Sequence, residues 1–341
     1  MTRRVKKSGR NPGAARSVDP LYHAVRLGCV RERSVLGVPV RFESNSADVM
    51  TAVDATFAHT KGTSRTTEAQ VRVRLILHEG GEGPDERASI TYRLPDEDRV
   101  VMHTHGSLAI ADGRRREGVA YLTPALLAQF DHLCFGILEP LVLVLVTRLD
   151  RHPVHAAVVG RGDAALVLAA PTGTGKSTLA YAAMRAGMTV FADDGAYVQV
   201  RRGLRVWGAP GRLYLPPDAR RWFPELARYR PRRLATGKTK LVIDVHRPSG
   251  SLGPAATRAG VCLLERRRGP VRLARIGELT LKRALWEGLG VQQPMYRASA
   301  GPALTRLCAG GGWRLNLSGD PQQAVGHLER MLAEVASRST G

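Results

Sequence analysis

Hydrophobic and polar residues alternate over several short stretches in the first half of the chain, which is the pattern of strands with one buried face. The clearest stretch is 71–77, where Arg72 and Arg74 stand between apolar residues. Alternation of this kind, with turns rich in glycine, proline and aspartate between the stretches, predicts antiparallel strands. They are expected at 71–77, 88–92, 99–110 and 118–122.

Two helices are predicted around these strands. Ser46 is a good N-cap, and apolar residues follow it at helical spacing. Thr123 with Pro124 marks a second helix start, and this helix is expected to run toward residues 139–140. We therefore expect an α+β N-terminal region over residues 19–148, preceded by a basic disordered tail over residues 1–18.

The second half of the chain has apolar stretches without alternation, which is typical of strands buried on both faces. Residues 153–159 and 164–168 predict a hairpin, and residues 188–192 predict a third strand. A helix is expected before that third strand, at 179–186. Later in the chain the same patterns predict strands at 240–245 and 260–264 and helices at 278–289 and from Pro321 onward. Residues 149–341 are therefore expected to form an α/β domain.

Composition is that of a folded protein, with 43% hydrophobic and 24% charged residues, but the net charge is +21 at pH 7. Of the 51 basic residues, seven are lysines and the other 44 are arginines. A GC-rich genome would produce this excess of arginine without a functional reason, whereas the functional alternative is an acidic partner. No nucleic-acid-binding motif accompanies the charge, so nucleic acid is not the expected partner.

Three further features bear on where the protein acts. The four cysteines lie far apart and match no metal-ligand spacing, which favours a reducing cytoplasm. No apolar stretch follows the basic start, so no signal peptide is expected. The most apolar run, 141–146, is too short to span a bilayer, so no membrane partner is expected. A homo-oligomer is compatible with the sequence.

The strongest chemical signal is a glycine-rich segment between the strand predicted at 164–168 and the helix predicted at 179–186. Glycines let such a loop wrap a phosphate, and the N–H groups of the loop and of the helix N-terminus point at the negative charge. Lys176 is expected to reach the β- and γ-phosphates, and Ser177 to ligate Mg²⁺. Ala170 stands where the usual pattern has its first glycine. The predicted nucleotide-binding residues are Pro171, Thr172, Gly173, Thr174, Gly175, Lys176, Ser177 and Thr178.

Two acids follow the next strand along the chain. Asp193 and Asp194 come directly after the apolar run at 188–192. An acid at the carboxyl end of a strand beside a phosphate-binding loop can hold Mg²⁺, or a water bound to it. The sequence therefore predicts a site for a nucleoside triphosphate and Mg²⁺.

The segment 155–198 resembles the catalytic core of HPr kinase/phosphorylase and its relatives. The resemblance rests on a histidine on the hairpin, the lysine-containing loop and the paired acids after a short helix, in the order and spacing of that family. It implies a P-loop kinase core of the HPr kinase/PEP carboxykinase-like type, which transfers the γ-phosphate of ATP to a serine or other hydroxyl. By this resemblance Asp194 is the general base, His155 assists it, Lys176 takes part in catalysis and Asp193 lies near the metal.

The chain departs from that family downstream of the paired acids. The family has a further acidic metal ligand and a signature stretch there, whereas this chain has an arginine-rich stretch at 220–240 that includes Trp222, Phe223 and Tyr229. Such a stretch fits nucleic-acid binding, a loop that clamps a phosphate or an acidic peptide, or a solvated surface. The acceptor therefore stays open among peptides, proteins and small molecules.

The alternative function is a nucleotide-switched ATPase or regulator without a phosphate acceptor, with or without the ability to bind nucleic acid. A hydrolase needs a residue that orients the attacking water. No glutamine or glutamate suited to that task stands beside Asp193 and Asp194 in the sequence. The sequence therefore favours the kinase over the ATPase.

Overall fold

A computed structural model describes residues 24–57, 69–79, 89–104, 106–208, 211–234, 237–245, 255–288 and 293–338, so the tail predicted at 1–18 lies outside the described residues. The helices in these ranges are α1 (Ala47–Thr56), α2 (Pro124–Ala128), α3 (Phe130–His132), α4 (Glu139–Thr147), α5 (Lys176–Arg185), α6 (Glu278–Glu287), α7 (Gln293–Cys308) and α8 (Val325–Ser337). The strands of the first half are β1 (Cys29–Val35), β2 (Val38–Ser44), β3 (Val71–Leu77), β4 (Thr91–Arg93), β5 (Arg99–Thr104), β6 (Ser107–Asp112) and β7 (Glu117–Leu122). The strands of the second half are β8 (His152–Val154), β9 (Ala156–Arg161), β10 (Ala164–Ala169), β11 (Thr189–Ala192), β12 (Ala196–Gln199), β13 (Arg205–Gly208), β14 (Arg212–Leu215), β15 (Arg232–Arg233), β16 (Thr239–Asp244), β17 (Ala255–Ala256), β18 (Arg258–Arg266), β19 (Arg272–Ile276) and β20 (Gly312–Leu317).

The first seven strands form one sheet in the order β1-β2-β3-β7-β6-β5-β4. Strand β3 has the predicted bounds, and the stretch predicted at 99–110 is the hairpin β5-β6. The prediction that these strands are all antiparallel is wrong, because β3 pairs in parallel with both β2 and β7. Alternation of hydrophobic and polar residues fixes which side chains are buried, but it does not fix the direction of the neighbouring strand.

A run of helices packs on this sheet. It begins as predicted, since the Thr123 hydroxyl accepts a hydrogen bond from the N–H of Leu126. It does not end at 139–140 as expected, because a π-helical turn over Leu133–Leu138 leads directly into α4. Pro140 lies in the first turn of α4, where a missing N–H costs little. The segment Phe130–Thr147 is long and apolar enough to cross a membrane, but 61% of it is buried inside the fold, as in a core helix.

Glu139, at the start of α4, is a partly buried carboxylic acid. Burial raises the pKa of Glu139 from 4.5 to about 7, and the guanidinium of Arg212 only partly opposes this rise. Because the folded protein holds this proton more tightly than the unfolded chain, the stability that Glu139 contributes is present below pH 4.5 and is lost as the pH rises through 7. We expect Glu139→Gln to raise the free energy of unfolding at pH 8 by up to about 3 kcal/mol and to change it little at pH 4.5.

Urea unfolding at the two pH values measures this difference. Glu97→Gln, which removes an exposed carboxylate, is the matched control and should have little effect at either pH. An equal effect of Glu139→Gln at both pH values would show that its carboxyl is not titrating between them.

The second half of the chain forms a six-stranded sheet in the order β11-β9-β10-β18-β20-β19. The predicted hairpin is present as the antiparallel pair β9-β10, and β10 continues the sheet by pairing in parallel with β18. Helices α5 and α8 pack against β9 and β10, and β10 is buried along its whole length. Two antiparallel sheets, β17-β13-β12-β8 and β14-β16-β15, complete a mixed α/β structure. The carboxyl end of β10 is therefore fixed at the centre of this half.

Packing joins the two halves of the chain. Tyr197, Trp207 and Tyr296 come from the second half but belong to the apolar core of the first sheet. The Trp207 ring lies so close to Gly37 that a Cβ at this glycine would come within 2.3 Å of it. The guanidinium of Arg151 lies 4.6 Å from the centre of the same indole ring.

Candidate active site

The chain between β10 and α5 forms an open loop at the start of the helix. Gly173 and Gly175 have φ values of +87° and +118°, which L side chains rarely adopt, and Gly175 is the N-cap of α5. Residues 171–173 are exposed, and the N–H of Thr174 donates a hydrogen bond to the carbonyl of Pro171. An exposed glycine loop that ends at a helix N-terminus is suited to bind an anion.

Lys176, the first residue of α5, is a buried cation at the base of this loop. Its side chain is 6% exposed, and its Nζ lies 2.8 Å from the carbonyl oxygen of Ala170 and 3.2 Å from Nε2 of His155. Burial lowers the pKa of Lys176, and the carboxylates of Asp194 and Asp193 act in the opposite direction. Because an ammonium group only donates, Nε2 of His155 is the acceptor, which places the imidazole proton on Nδ1.

Asp194 completes a cluster with these two side chains. Its Oδ1 lies 3.5 Å from Nε2 of His155 and 3.8 Å from Nζ of Lys176. The Asp194 side chain is 67% exposed, so a second molecule can reach it. Burial lowers the pKa of His155 below 6.5 despite the nearby carboxylate, so its imidazole is neutral at pH 7. The three residues predicted to be catalytic therefore lie in mutual contact.

Asp193 is the buried member of the acidic pair. Its Oδ2 accepts a hydrogen bond of 2.8 Å from the N–H of Tyr214, whereas Oδ1 forms no hydrogen bond of good geometry with the described residues. Burial raises the pKa of Asp193 to about 6, and hydrogen bonding by Tyr214 and Ser177 opposes the rise. A carboxylate oxygen without a partner, close to a hydroxyl, is a fitting donor pair for a hard cation such as Mg²⁺. Within the described part of the chain, no group of three or more His, Cys, Asp and Glu side chains could hold a metal ion without other ligands.

Lys240, on β16, reaches the site from the arginine-rich stretch. It is close enough for its charge to lower the pKa values of both Lys176 and Asp193. The sequence showed this lysine as one of many basic residues and gave no sign that it differs from them. Its position follows from the pairing of β16 with β14, which carries Tyr214.

Glu265 is the acid that sequence reasoning missed. It lies near the end of β18, the strand that pairs in parallel with the loop strand β10, and it lines the same cleft as Asp194. A signal was present, because Glu265 ends the apolar run at 261–264 just as Asp193 ends its own strand. The sequence could not show that β18 is the neighbour of β10.

Two concave surfaces flank the loop. On one side a cleft of about 890 Å³ is lined by His155, Asp194 and residues 169–172. On the other side Gly175 and Thr178 line a shallow groove that also contains Trp222 and Arg266. The loop therefore separates a large cleft from a small surface depression.

The arginine-rich stretch at 220–240, for which a clamp on a phosphate or acidic peptide is one of three interpretations, does not line the cleft beside Asp194 in its described part. Part of it forms 3₁₀ turns over Pro217–Arg221 and Pro224–Arg228, and Arg185 of α5 pairs with Glu225 at 3.1 Å. None of the described residues of this stretch is among those that line the cleft. Its contribution to the site is Lys240 near the buried acid and Trp222 in the shallow groove.

Comparisons with known proteins give little further guidance. No family model matches the chain, and no curated protein matches it either. Among solved structures, the HPr(Ser) kinase/phosphatase from Coxiella burnetii is similar over 53% of this chain and 88% of that chain, with 12% identity and a TM-score of 0.29. The chain therefore has a weak structural likeness to an HPr kinase/phosphatase, too distant to carry an argument about function.

Proposed function

We propose that this protein transfers the γ-phosphate of ATP to a hydroxyl of a peptide, protein or small molecule, on a P-loop kinase core in the cytoplasm. The observation that carries the proposal is the contact of Lys176 with both His155 and Asp194 at the open end of a glycine loop. Phosphoryl transfer to a hydroxyl needs a cation that holds the phosphate and a group that orients the nucleophile. Both are present in this cluster, and the carboxylate is exposed to the cleft.

The position of Lys176 indicates which end of a bound triphosphate would lie at the cleft. A lysine at this place in a phosphate-binding loop contacts the β- and γ-phosphates. Its Nζ lies beside His155 and Asp194, so the γ-phosphate would lie at the mouth of the cleft. The nucleoside would then lie on the side of Thr178, over the protein surface beside Trp222. The cleft is left for the acceptor.

Asp194 would act as the general base. In the free protein the ammonium of Lys176 holds His155 and Asp194, and a bound triphosphate would draw this ammonium to its own oxygens. Asp194 then accepts the proton of the acceptor hydroxyl while the hydroxyl oxygen bonds to the γ-phosphorus. The bond from that phosphorus to the β-bridging oxygen breaks, and ADP leaves. Once the ammonium has moved away, the proton of the neutral imidazole can shift to Nε2 of His155, which lies 3.5 Å from Oδ1 of Asp194 and would then donate to the carboxylate and orient it.

Ser177 and Asp193 are the residues that would hold Mg²⁺ together with phosphate oxygens. When bound, the ion would neutralise charge on the phosphates. Asp193 suits this task because its Oδ1 is without a good hydrogen bond and its carboxyl is fixed by Tyr214. The raised pKa of Asp193 means that it releases a proton when a cation binds near or below pH 6.

Incubation with γ-labelled ATP, Mg²⁺ and a mixture of serine-containing peptides tests the proposal. We expect label bound covalently to peptide hydroxyls. Free labelled phosphate released at the same rate with and without peptides, and no label on any acceptor, would contradict it. The same mixture with labelled GTP shows which nucleotide is preferred.

An ATPase without an acceptor is the second candidate, and Glu265 is the observation that favours it. An acid on the strand next to the loop can orient a water for attack on the γ-phosphate. If Glu265 does so, Glu265→Gln lowers acceptor-free hydrolysis by about 10²–10⁴-fold. We expect a much smaller change, below about tenfold, because Glu265 already pairs with Arg314 at 2.9 Å and Arg267 at 3.0 Å.

Release of phosphate from ATP without peptides measures this difference. Glutamine keeps the size of the side chain but loses its charge and presents an NH2 group to one of the two arginines, so an unchanged melting temperature is needed to check that the fold is intact. A loss of 100-fold or more in Glu265→Gln, with Asp194→Asn unaffected, would replace the kinase with the ATPase.

A further inference from the structure

We infer that the cleft accepts a peptide hydroxyl flanked by apolar and basic residues and discriminates against an acidic segment. The inference rests on the proposed phosphoryl transfer at Asp194, and it names the class of acceptor. It is carried by the walls of the cleft and by the sign of the charges that line it.

The walls of the cleft are mostly apolar. Val154 of β8, Tyr197 of β12, Leu263 of β18, Leu285 of α6 and Tyr296 of α7 all line it. Aromatic and aliphatic walls of this kind bind apolar side chains and position a few polar groups among them. The residues next to the accepting hydroxyl are therefore expected to be apolar.

All the fully charged side chains that line the cleft, among the described residues, are acids. They are Asp194, Glu265 and Glu287, and no lysine or arginine is found with them there. His155 also lines the cleft, but burial lowers its pKa, so it adds little positive charge at pH 7. Because only acids line the cleft, a carboxylate there would face three carboxylates first and their paired cations behind them, whereas an ammonium or guanidinium group would face three opposite charges first.

The cations that pair with these acids do not line the cleft. Lys176 lies 3.8 Å from Asp194, Arg314 and Arg267 pair with Glu265, and Arg283 pairs with Glu287 at 2.8 Å. The pair of Arg283 and Glu287 is exposed on both sides, so it is weak and Glu287 can exchange its partner. These three arginines do not line the cleft.

The preference expected of the cleft is opposite to that of the whole molecule. A net charge of +21 attracts acidic peptides to the surface in general. The arginine-rich stretch at 220–240, the segment suited to an acidic peptide, does not line this cleft in its described part. A measured preference for basic peptides would therefore be a property of the cleft, because the positive charge of the rest of the surface favours acidic peptides.

The ligand that we propose for this cleft is a peptide. The volume of about 890 Å³ is near the upper end of the range for pockets that hold small molecules, about 300–1,000 Å³. Six segments of the chain line it, so apolar and acidic groups lie on several sides of the hydroxyl position. An extended segment with apolar and basic side chains can contact all of them together.

Two serine peptides of equal length test the inference. Both carry leucines beside the serine, and they differ in having lysine or glutamate two residues away. We expect kcat/KM for phosphate transfer at 0.15 M salt to be at least about tenfold higher for the lysine peptide. Binding of fluorescent forms of the two peptides is measured in parallel by anisotropy.

A charge reversal in the cleft provides the matched comparison. Glu287→Lys should reduce the preference for the lysine peptide by about fivefold or more. The substitution lies at the end of α6, where a lysine suits the helix dipole, so the fold should tolerate it. Glu329→Lys makes the same change of net charge on α8, away from the cleft, and should leave the preference unchanged.

The two readouts separate this inference from the proposed function. A preference in binding for the lysine peptide that Glu287→Lys reduces, but without transfer of label, would support the inference about the cleft and contradict the kinase. Transfer of label with equal or better use of the glutamate peptide would support the kinase and overturn the inference. Binding of neither peptide would overturn the inference as well.

Discussion

Replacing Asp194 with asparagine should lower the rate of phosphoryl transfer by about 10²–10⁴-fold and leave ATP binding nearly unchanged. The amide has the size of the carboxylate but cannot accept the proton of the acceptor hydroxyl. Asp194 is 67% exposed, so its replacement leaves no buried group without a partner and the fold should be unaffected. Single-turnover transfer of label and the Kd of ATP, measured on the same sample, separate the loss of chemistry from a loss of binding.

Asp48→Asn is the matched control for Asp194→Asn. It makes the same chemical change at an exposed position in the first turn of α1, which takes no part in the cleft. Its transfer rate should equal that of the unaltered protein. A fully active Asp194→Asn variant would remove the base assignment, and a variant that lost ATP affinity instead would place Asp194 among the nucleotide-binding groups.

Replacing Lys176 with alanine should weaken ATP binding and lower transfer by about 10²–10³-fold or more. The reason is that Lys176 is the cation proposed to move from His155 and Asp194 to the β- and γ-phosphates. Its loss removes the interaction that strengthens as charge develops on the transferred group. Both the Kd of ATP and the transfer rate should therefore change, unlike in Asp194→Asn.

The Lys176 side chain is buried, so its replacement by alanine also leaves a cavity. A second variant separates the loss of charge from the loss of packing. Lys176→Met keeps most of the side-chain volume without the charge and should show the same loss as Lys176→Ala. Lys282→Ala, on α6, removes a lysine that does not contact the loop and should be fully active. If Lys176→Met kept normal transfer, the charge of Lys176 would have no part in the reaction.

The loop and its immediate neighbours could be predicted from the sequence because they depend on local patterns. Apolar runs and glycines predict three elements at their observed positions: the strand before the loop, the helix after it and the strand that leads to Asp193. The family resemblance, rather than these local patterns, grouped His155 and Asp194 with Lys176, and the structure has the three residues in contact.

What the sequence could not provide are contacts between elements far apart in the chain. Tyr214, Lys240 and Glu265 reach the site through the pairing of β14 with β16 and of β10 with β18. Strand pairing of this kind depends on the partner as much as on the strand, and a single sequence does not name the partner. The same limit explains the error about β3, where one-sided burial indicated an antiparallel sheet but a crossover through α1 gave a parallel pair.

The packing of Tyr197 in the core of the first sheet limits how the two halves of this protein can evolve. Tyr197 follows Asp194 by three residues, and its ring belongs to the core of the first sheet together with Trp207. No described side chain of residues 24–148 lines the cleft, yet this sheet holds the strand that begins beside the proposed base. A displacement of about 1 Å in a reacting group can cost about 100-fold in rate. The two halves should therefore be inherited together. An N-terminal half taken from another protein would need a core surface that packs the Tyr197 ring in the same position before the site could work.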